Sequence, residues 1–124
     1  MTRDDVDDLI LSLPETERGS AYGMPAFRTA GKFLTRIRSE DASVVIHLDS
    51  FDERDLLIEI NPETFFFTDH YRNHAMVLAR IESVDRAWLA AMMTRRWRTV
   101  ASRTLQKMHP RLPGEPLSTE PGGA

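Results

Sequence analysis

The first apolar positions of the chain follow the spacing of an amphipathic helix. They are Val6, Leu9, Ile10 and Leu13. Aspartates occupy the first turns, where a carboxylate complements the helix dipole, and Thr2 or Asp4 is a candidate cap. Pro14 ends the periodic segment. The pattern therefore predicts a helix over residues 4–13, followed by a polar connection over residues 14–23.

The next segment alternates between its two sides, as a strand does. Between residues 32 and 38, one side carries Lys32, Leu34, Arg36 and Arg38, and the other carries Phe33, Thr35 and Ile37. Ala30-Gly31 lies between this run and an earlier strand-like run, which indicates a hairpin. The glycines form neither a GxGxxG motif nor a Walker loop, so a phosphate-binding loop is not expected.

Patterns farther along the chain predict the remaining elements. These are a strand over 43–49, a helix over 52–60, strands at 65–67 and 75–81, and a long helix over 84–108 capped by Ser83. The order α-β-β-β-α-β-β-α predicts a two-layer α+β fold, with an antiparallel sheet and helices on one face. We expect a single domain over residues 1–109 and a disordered, proline- and glycine-rich tail over 110–124.

Composition narrows the classes of site that the chain can carry. It has 124 residues and no cysteine, which excludes disulfides, thiolate metal sites and cysteine nucleophiles. The N-terminus resembles no signal peptide and no run reaches the length of a membrane span, so we expect a cytoplasmic protein without membrane partners. No catalytic motif is present, so we expect neither an enzyme nor a cofactor.

Charge is distributed unevenly along the chain. The net charge is −3, but residues 86–111 hold seven bases and no acid, whereas residues 1–20 hold six acids. Arginines and lysines on a strand face and on the last helix are candidates for contacts with a phosphate backbone. They are Lys32, Arg36, Arg38, Arg96, Arg103 and Lys107. Tyr22 and Trp88 are candidates for stacking on bases. Alternatively, the arginines pair with the many carboxylates of the chain.

Histidines offer a second kind of candidate site. His70 and His74 are four residues apart in the sequence DHYRNH, and on a helix they would reach one metal ion. Because this segment precedes a strand, we expect a loop there and no metal site. His47 lies on a strand, where a structural role is the usual one. A small-molecule or metal site around these three histidines is kept as an alternative.

Four blocks of sequence resemble the MmcQ/YjbR family in order and spacing. They are LPETERG, YGMPAFRTAGKFLTRI, DHYRNHAMVLARI and WRTVASRTL, within roughly residues 6–106. Family positions fall on Gly23, Pro25, Phe27, Gly31, Lys32, His70, Tyr71, Arg72, Trp97 and Arg98. The chain departs from the family at Tyr22, where Trp is frequent, and at Ser102-Arg103, where the family is more basic.

The resemblance implies a small α+β fold like that of type III secretion chaperones. It also implies DNA binding, by which members are commonly described, and it brings no catalytic residues. The sequence thus favours a non-enzymatic DNA-binding protein. The alternatives are a protein-interaction module or homodimer, and the histidine-centred site.

Overall fold

The computed structural model describes residues 1–113 and Glu115. Helix α1 (Arg3–Leu11) begins with a capping box, in which the side chains of Thr2 and Asp5 each accept a hydrogen bond from the other's backbone N–H. This confirms the predicted first helix and identifies Thr2 as its cap. The helix ends at Leu11, two residues earlier than predicted, and the hydroxyl of Ser12 donates to the carbonyl of Leu9.

The first of two antiparallel sheets has the order β1-β2-β3. It comprises β1 (Thr16–Ala21), β2 (Met24–Thr29) and β3 (Lys32–Thr35). Strand β1 occupies most of the predicted polar connection, because the turn at Tyr22-Gly23 pairs it with β2 although it has no apolar alternation. Both turn residues have positive φ, 54° and 76°, as a two-residue type I′ hairpin requires. The hairpin predicted at Ala30-Gly31 is confirmed between β2 and β3.

The second sheet has the order β4-β5-β7-β6, again antiparallel throughout. Its strands are β4 (Ile37–Arg38), β5 (Ser43–His47), β6 (Phe65–Phe66) and β7 (Met76–Arg80). The predicted strand over residues 32–38 is therefore divided between two sheets at Arg36. Leu34 and Thr35 are both buried, which breaks the predicted alternation, since the Thr35 hydroxyl donates to the carbonyl of Val45 at 2.7 Å.

The long C-terminal helix predicted over residues 84–108 is two helices, α3 (Arg86–Val100) and α4 (Arg103–Met108). Ala101 and Ser102 are extended, and the Ser102 hydroxyl accepts the N–H of Leu105 to cap α4. Asp85, and not Ser83, caps α3. After the break, Leu105 is buried in the core and Met108 is exposed. Helix α2 (Phe51–Ile60) follows β5 and precedes β6 along the chain, and Ser50 caps it.

The main core lies between α1, α3 and the sheets. Its largest fully buried side chain is Trp97 of α3, whose indole N–H donates to the carbonyl of Pro14 at 2.9 Å. A smaller cluster of Val45, Leu78 and Tyr71 forms apart from it. The α+β class is confirmed, with two antiparallel sheets in place of the single one expected. Within the described residues, no helix is long and apolar enough to cross a membrane.

The first residues of the predicted tail contact α3. Leu112 is buried, the Thr94 hydroxyl donates to the carbonyl of Pro113 at 2.6 Å, and Arg98 donates to both carboxylate oxygens of Glu115 at 3.0 and 2.8 Å. Residues 110–113 and 115 therefore pack on the last long helix. Residue 114 and residues 116–124, the remainder of the predicted tail, lie outside the described residues.

Candidate nucleic-acid interface

Two of the predicted phosphate-binding arginines are engaged by nearby acids. Arg36 pairs with Glu40 at 3.2 Å, and its other terminal nitrogen contacts the sulfur of Met24 at 3.0 Å. Arg38 is largely buried and donates to both carboxylate oxygens of Asp41 at 3.0–3.2 Å. These hydrogen bonds to Asp41 raise the pKa of Arg38 above its ordinary value. The charges of this strand segment are therefore matched internally.

Arg96 connects α3 to the first sheet. Its guanidinium donates to the carbonyls of Leu34 at 2.8 Å and Phe33 at 3.2 Å, and burial lowers its pKa. Across residues 1–113 and 115, no carboxylate lies within 4.0 Å of it. Arg96 thus adds positive charge to this region, while its hydrogen-bonding groups hold the helix against β3.

The other three predicted residues are available. Lys32 at the start of β3, and Arg103 and Lys107 on α4, are exposed. Among the described residues, none of the three has an ion pair or a side-chain hydrogen bond. A cation in this state keeps its donors and its full charge for an external anion.

The structure adds two cations that sequence reasoning missed. Arg28 donates to the carbonyls of Ser20 and Gly31, both at 2.9 Å, and has no carboxylate within 4.0 Å in the described part of the chain. Its aliphatic stem crosses Gly19, where a Cβ would lie 3.3 Å from the Arg28 Cδ. Arg111 is exposed in the segment predicted as tail. The contacts of Arg28 could not be predicted from the sequence, because they depend on the pairing of β2 with β1, which has no strand pattern of its own.

Backbone contacts bring the base of the first hairpin close to the end of α3. The N–H of Ala30 donates to the carbonyl of Glu15 at 2.9 Å, and the neighbouring carbonyl of Pro14 accepts from Trp97. Lys32 follows Ala30 by two residues, and α4 begins six residues after Trp97. The start of β3, which carries Lys32, therefore lies close to the end of α3, from which α4 follows after two residues.

The two predicted stacking residues differ in accessibility. Tyr22 is fully exposed at the tip of the β1–β2 hairpin. Trp88 is half-buried on α3, and its ring packs edge-on against Phe65 with centroids 4.9 Å apart. Tyr22 is thus the one of the two that presents an open aromatic face.

The histidines do not form a common site. His70 and His74 are exposed in and after a short 3-10 turn, Asp69–Tyr71. His47 packs against Phe33 at 6.0 Å, and burial, together with the positive charge of Arg96, lowers its pKa to about 3. Within the described residues, no group of three or more His, Asp or Glu side chains is arranged to hold a metal ion.

A small cavity lies elsewhere, between α1 and the first hairpin. Its volume is about 160 Å³, and its polar lining consists of Asp7 with the guanidinium groups of Arg3 and Arg18. Arg18 pairs with Asp7 at 2.9 Å. None of the three candidate histidines lines this cavity. This cavity therefore does not support the alternative of a ligand site around the histidines.

The comparisons with known proteins identify the family and nothing narrower. No curated protein and no solved structure matches the chain. A protein-family model described as YjbR matches residues 11–99, well over half of the 124 residues. The match includes three of the four blocks of resemblance completely and the start of the fourth. The chain therefore belongs to the MmcQ/YjbR family.

Proposed function

We propose that the protein binds DNA without catalysing a reaction on it, through exposed cations of β3 and α4. The observation that supports this function best is that Lys32, Arg103 and Lys107 are exposed and have no ion pair within residues 1–113 and 115. Arg28 and the exposed Arg111 are two further bases with no carboxylate within 4.0 Å among the described residues. DNA binding also agrees with the cytoplasmic location that we expect for the chain.

Ion pairing separates the bases of the chain into two groups. Nine of the sixteen have a carboxylate within 4.0 Å: Arg3, Arg18, Arg36, Arg38, Arg54, Arg72, Arg86, Arg95 and Arg98. An arginine that already holds a carboxylate must lose that contact to bind a phosphate. An exposed, unpaired cation releases condensed counterions from DNA without this cost.

The geometry favours contacts with the sugar-phosphate backbone over the reading of base edges. Helix α4 has only six residues, so it presents little more than one turn to a groove. The hairpin from its base to Tyr22 spans six residues per strand, roughly 20 Å at the usual strand rise. In this arrangement Tyr22, at the tip of the hairpin, stacks on an unpaired nucleotide base. The cations at the other end of the hairpin contact the phosphates. We therefore expect little sequence preference.

The test is fluorescence anisotropy of a labelled 20-base-pair duplex and of one of its strands, at 50 and 200 mM salt. The test variant is Lys32→Ala/Arg103→Ala/Lys107→Ala. The control variant, Arg3→Ala/Arg72→Ala/Arg86→Ala, removes the same charge from three exposed arginines that are already paired. If three phosphate contacts are lost, the log–log salt slope of the test variant falls by about 2.7, whereas that of the control changes little.

Two results would contradict the proposal. The first is absence of binding by the wild-type protein at 50 mM salt. The second is equal weakening by both triple variants, which would show that net charge and not the unpaired surface determines affinity. Loss of single-strand binding alone in Tyr22→Ser would support stacking by the hairpin tip.

A further inference from the structure

Helix α2 leaves several of its apolar side chains exposed. It contains five large hydrophobic residues, and none of them is buried: Phe51, Leu56, Leu57, Ile58 and Ile60. Phe51 is 46% exposed, Leu56 55% and Ile60 70%. The one buried side chain of the helix is that of Arg54. Leu56 and Ile60 lie on the same side of the helix, and exposed apolar side chains grouped in this way are a candidate docking surface.

Polar contacts hold α2 in place without using this apolar surface. One terminal nitrogen of Arg54 donates to the carbonyls of Tyr71, Arg72 and His74 at 3.0–3.2 Å. Glu53 accepts two hydrogen bonds from Arg95 at 3.0 and 3.1 Å. The helix is thus positioned by these polar contacts together with the half-buried Leu57 and Ile58, which pack against the core. Its outer side remains free among residues 1–113 and 115.

The outer side of α2 consists of two parallel rows. Leu56 and Ile60 are four residues apart and form an apolar row. At 100° per residue, the three acids Asp52, Asp55 and Glu59 form a second row beside it. The only base of the helix, Arg54, is buried on the opposite side. The outer face therefore combines two aliphatic side chains with negative charge. Arg54 contacts Asp55 at 3.5 Å, whereas Asp52 and Glu59 have no ion pair among the described residues.

We propose that this face of α2 docks a basic amphipathic helix of another protein. Such a segment carries aliphatic residues at i, i+3 and i+4 for Leu56 and Ile60, and lysines or arginines flanking them for the acidic row. A second copy of this chain would fit poorly in a two-fold arrangement, because its own α2 face has no exposed base to offer the acidic row. This proposal is independent of DNA binding, which we assign to the exposed bases of β3 and α4.

The probe is a fluorescein-labelled 16-residue peptide with leucines at i, i+3, i+4 and i+7 and lysines elsewhere. A peptide with the same composition in scrambled order serves as the comparison. Anisotropy titrations use the full chain and two matched variants, Ile60→Ser and Met108→Ser, because Met108 is 67% exposed at another place in the molecule. We expect Ile60→Ser to weaken binding about tenfold, from the loss of one covered aliphatic side chain, and Met108→Ser to change it less than twofold.

A charge variant tests the acidic row. Asp52→Lys/Glu59→Lys, which leaves the Arg54–Asp55 contact intact, should weaken binding strongly at 50 mM salt and less at 500 mM, whereas the effect of Ile60→Ser should persist at both. The control Asp4→Lys/Asp8→Lys reverses two exposed acids of α1 and should leave binding within about twofold. Circular dichroism of each variant verifies that the fold is kept.

Three results would overturn the proposal. One is equal binding of the ordered and scrambled peptides, and another is equal loss in Ile60→Ser and Met108→Ser. The third is a wild-type dimer in sedimentation that Ile60→Ser converts to a monomer, since a second copy would then cover α2. Duplex binding by Ile60→Ser, measured in parallel, separates this outcome from any failure of the DNA proposal.

Discussion

Replacement of Arg54 by methionine tests how α2 is attached. Arg54 stacks on the rings of Phe67 and Phe51, at 4.2 and 4.8 Å, and its Nη1 serves three backbone carbonyls. Nη1 has two protons, so we count two charge-assisted bonds of about 1.5 kcal/mol each. Methionine keeps the apolar contact with the rings but removes the charge and the donors. The expected loss of unfolding free energy is therefore about 3 kcal/mol.

Urea denaturation followed by circular dichroism measures this loss, provided that the slope of free energy against urea is unchanged. Arg72→Met is the matched control, because Arg72 lies in the loop whose carbonyls Arg54 contacts, is exposed, and has Asp69 as its one ion-pair partner among the described residues. It should cost no more than about 0.5 kcal/mol. Arg54→Lys should lie between the two, since an ammonium group does not reproduce the planar, forked donor. A loss below 1 kcal/mol for Arg54→Met would refute the reasoning.

Two further predictions concern pH and the C-terminal segment. The folded-state pKa of His47 is about 3, so between pH 6.5 and 3 the unfolded chain binds a proton that the folded chain does not. The free energy of unfolding should therefore decrease by about 1.4 kcal/mol for each unit by which pH is lowered within that window. His47→Leu should remove this part of the pH dependence, measured by urea titrations at pH 7 and 5. An equal pH dependence in the variant would contradict this role. Hydrogen bonds from Arg98 lower the pKa of Glu115, so their stabilisation is present above pH 4.5 and is lost as pH falls through the lowered value. Glu115→Gln should cost about 1 kcal/mol at pH 7 and nothing at pH 2, and a loss that persists at pH 2 would exclude the ion pair as its cause.

Local patterns were sufficient for the elements whose chemistry lies within one segment. The capping box of α1 and the turn at Ala30-Gly31 are such cases, because each depends on neighbouring residues. Strand β1 is not, since TERGSA has no apolar alternation and forms only by pairing with β2. The division of residues 32–38 between two sheets also depends on a distant partner, Val45, which bonds to Thr35 and Arg36.

The candidate site was predictable only in its residue types. Sequence shows that Arg38 and Lys32 are basic, but the pairing of one with Asp41 and the freedom of the other depend on the fold. Arg96 looked like a surface base because its helix is basic, although its donors are directed to strand carbonyls. The exposure of Leu56 and Ile60 on α2 could not be predicted either, because apolar residues at helical spacing usually form a buried face.

Strand β1, at one edge of the three-stranded sheet, also affects the tendency of the protein to aggregate at high concentration. Strand β1 has β2 on one side only, so its other edge offers backbone groups with which a strand of another molecule can pair. Four consecutive residues of β1, from Glu17 to Ser20, are exposed, and the strand contains no aliphatic side chain larger than alanine. An approaching strand would gain almost no apolar burial and would meet the charges of Glu17 and Arg18. This composition protects an open edge from aggregation while leaving the hairpin free to project into solvent.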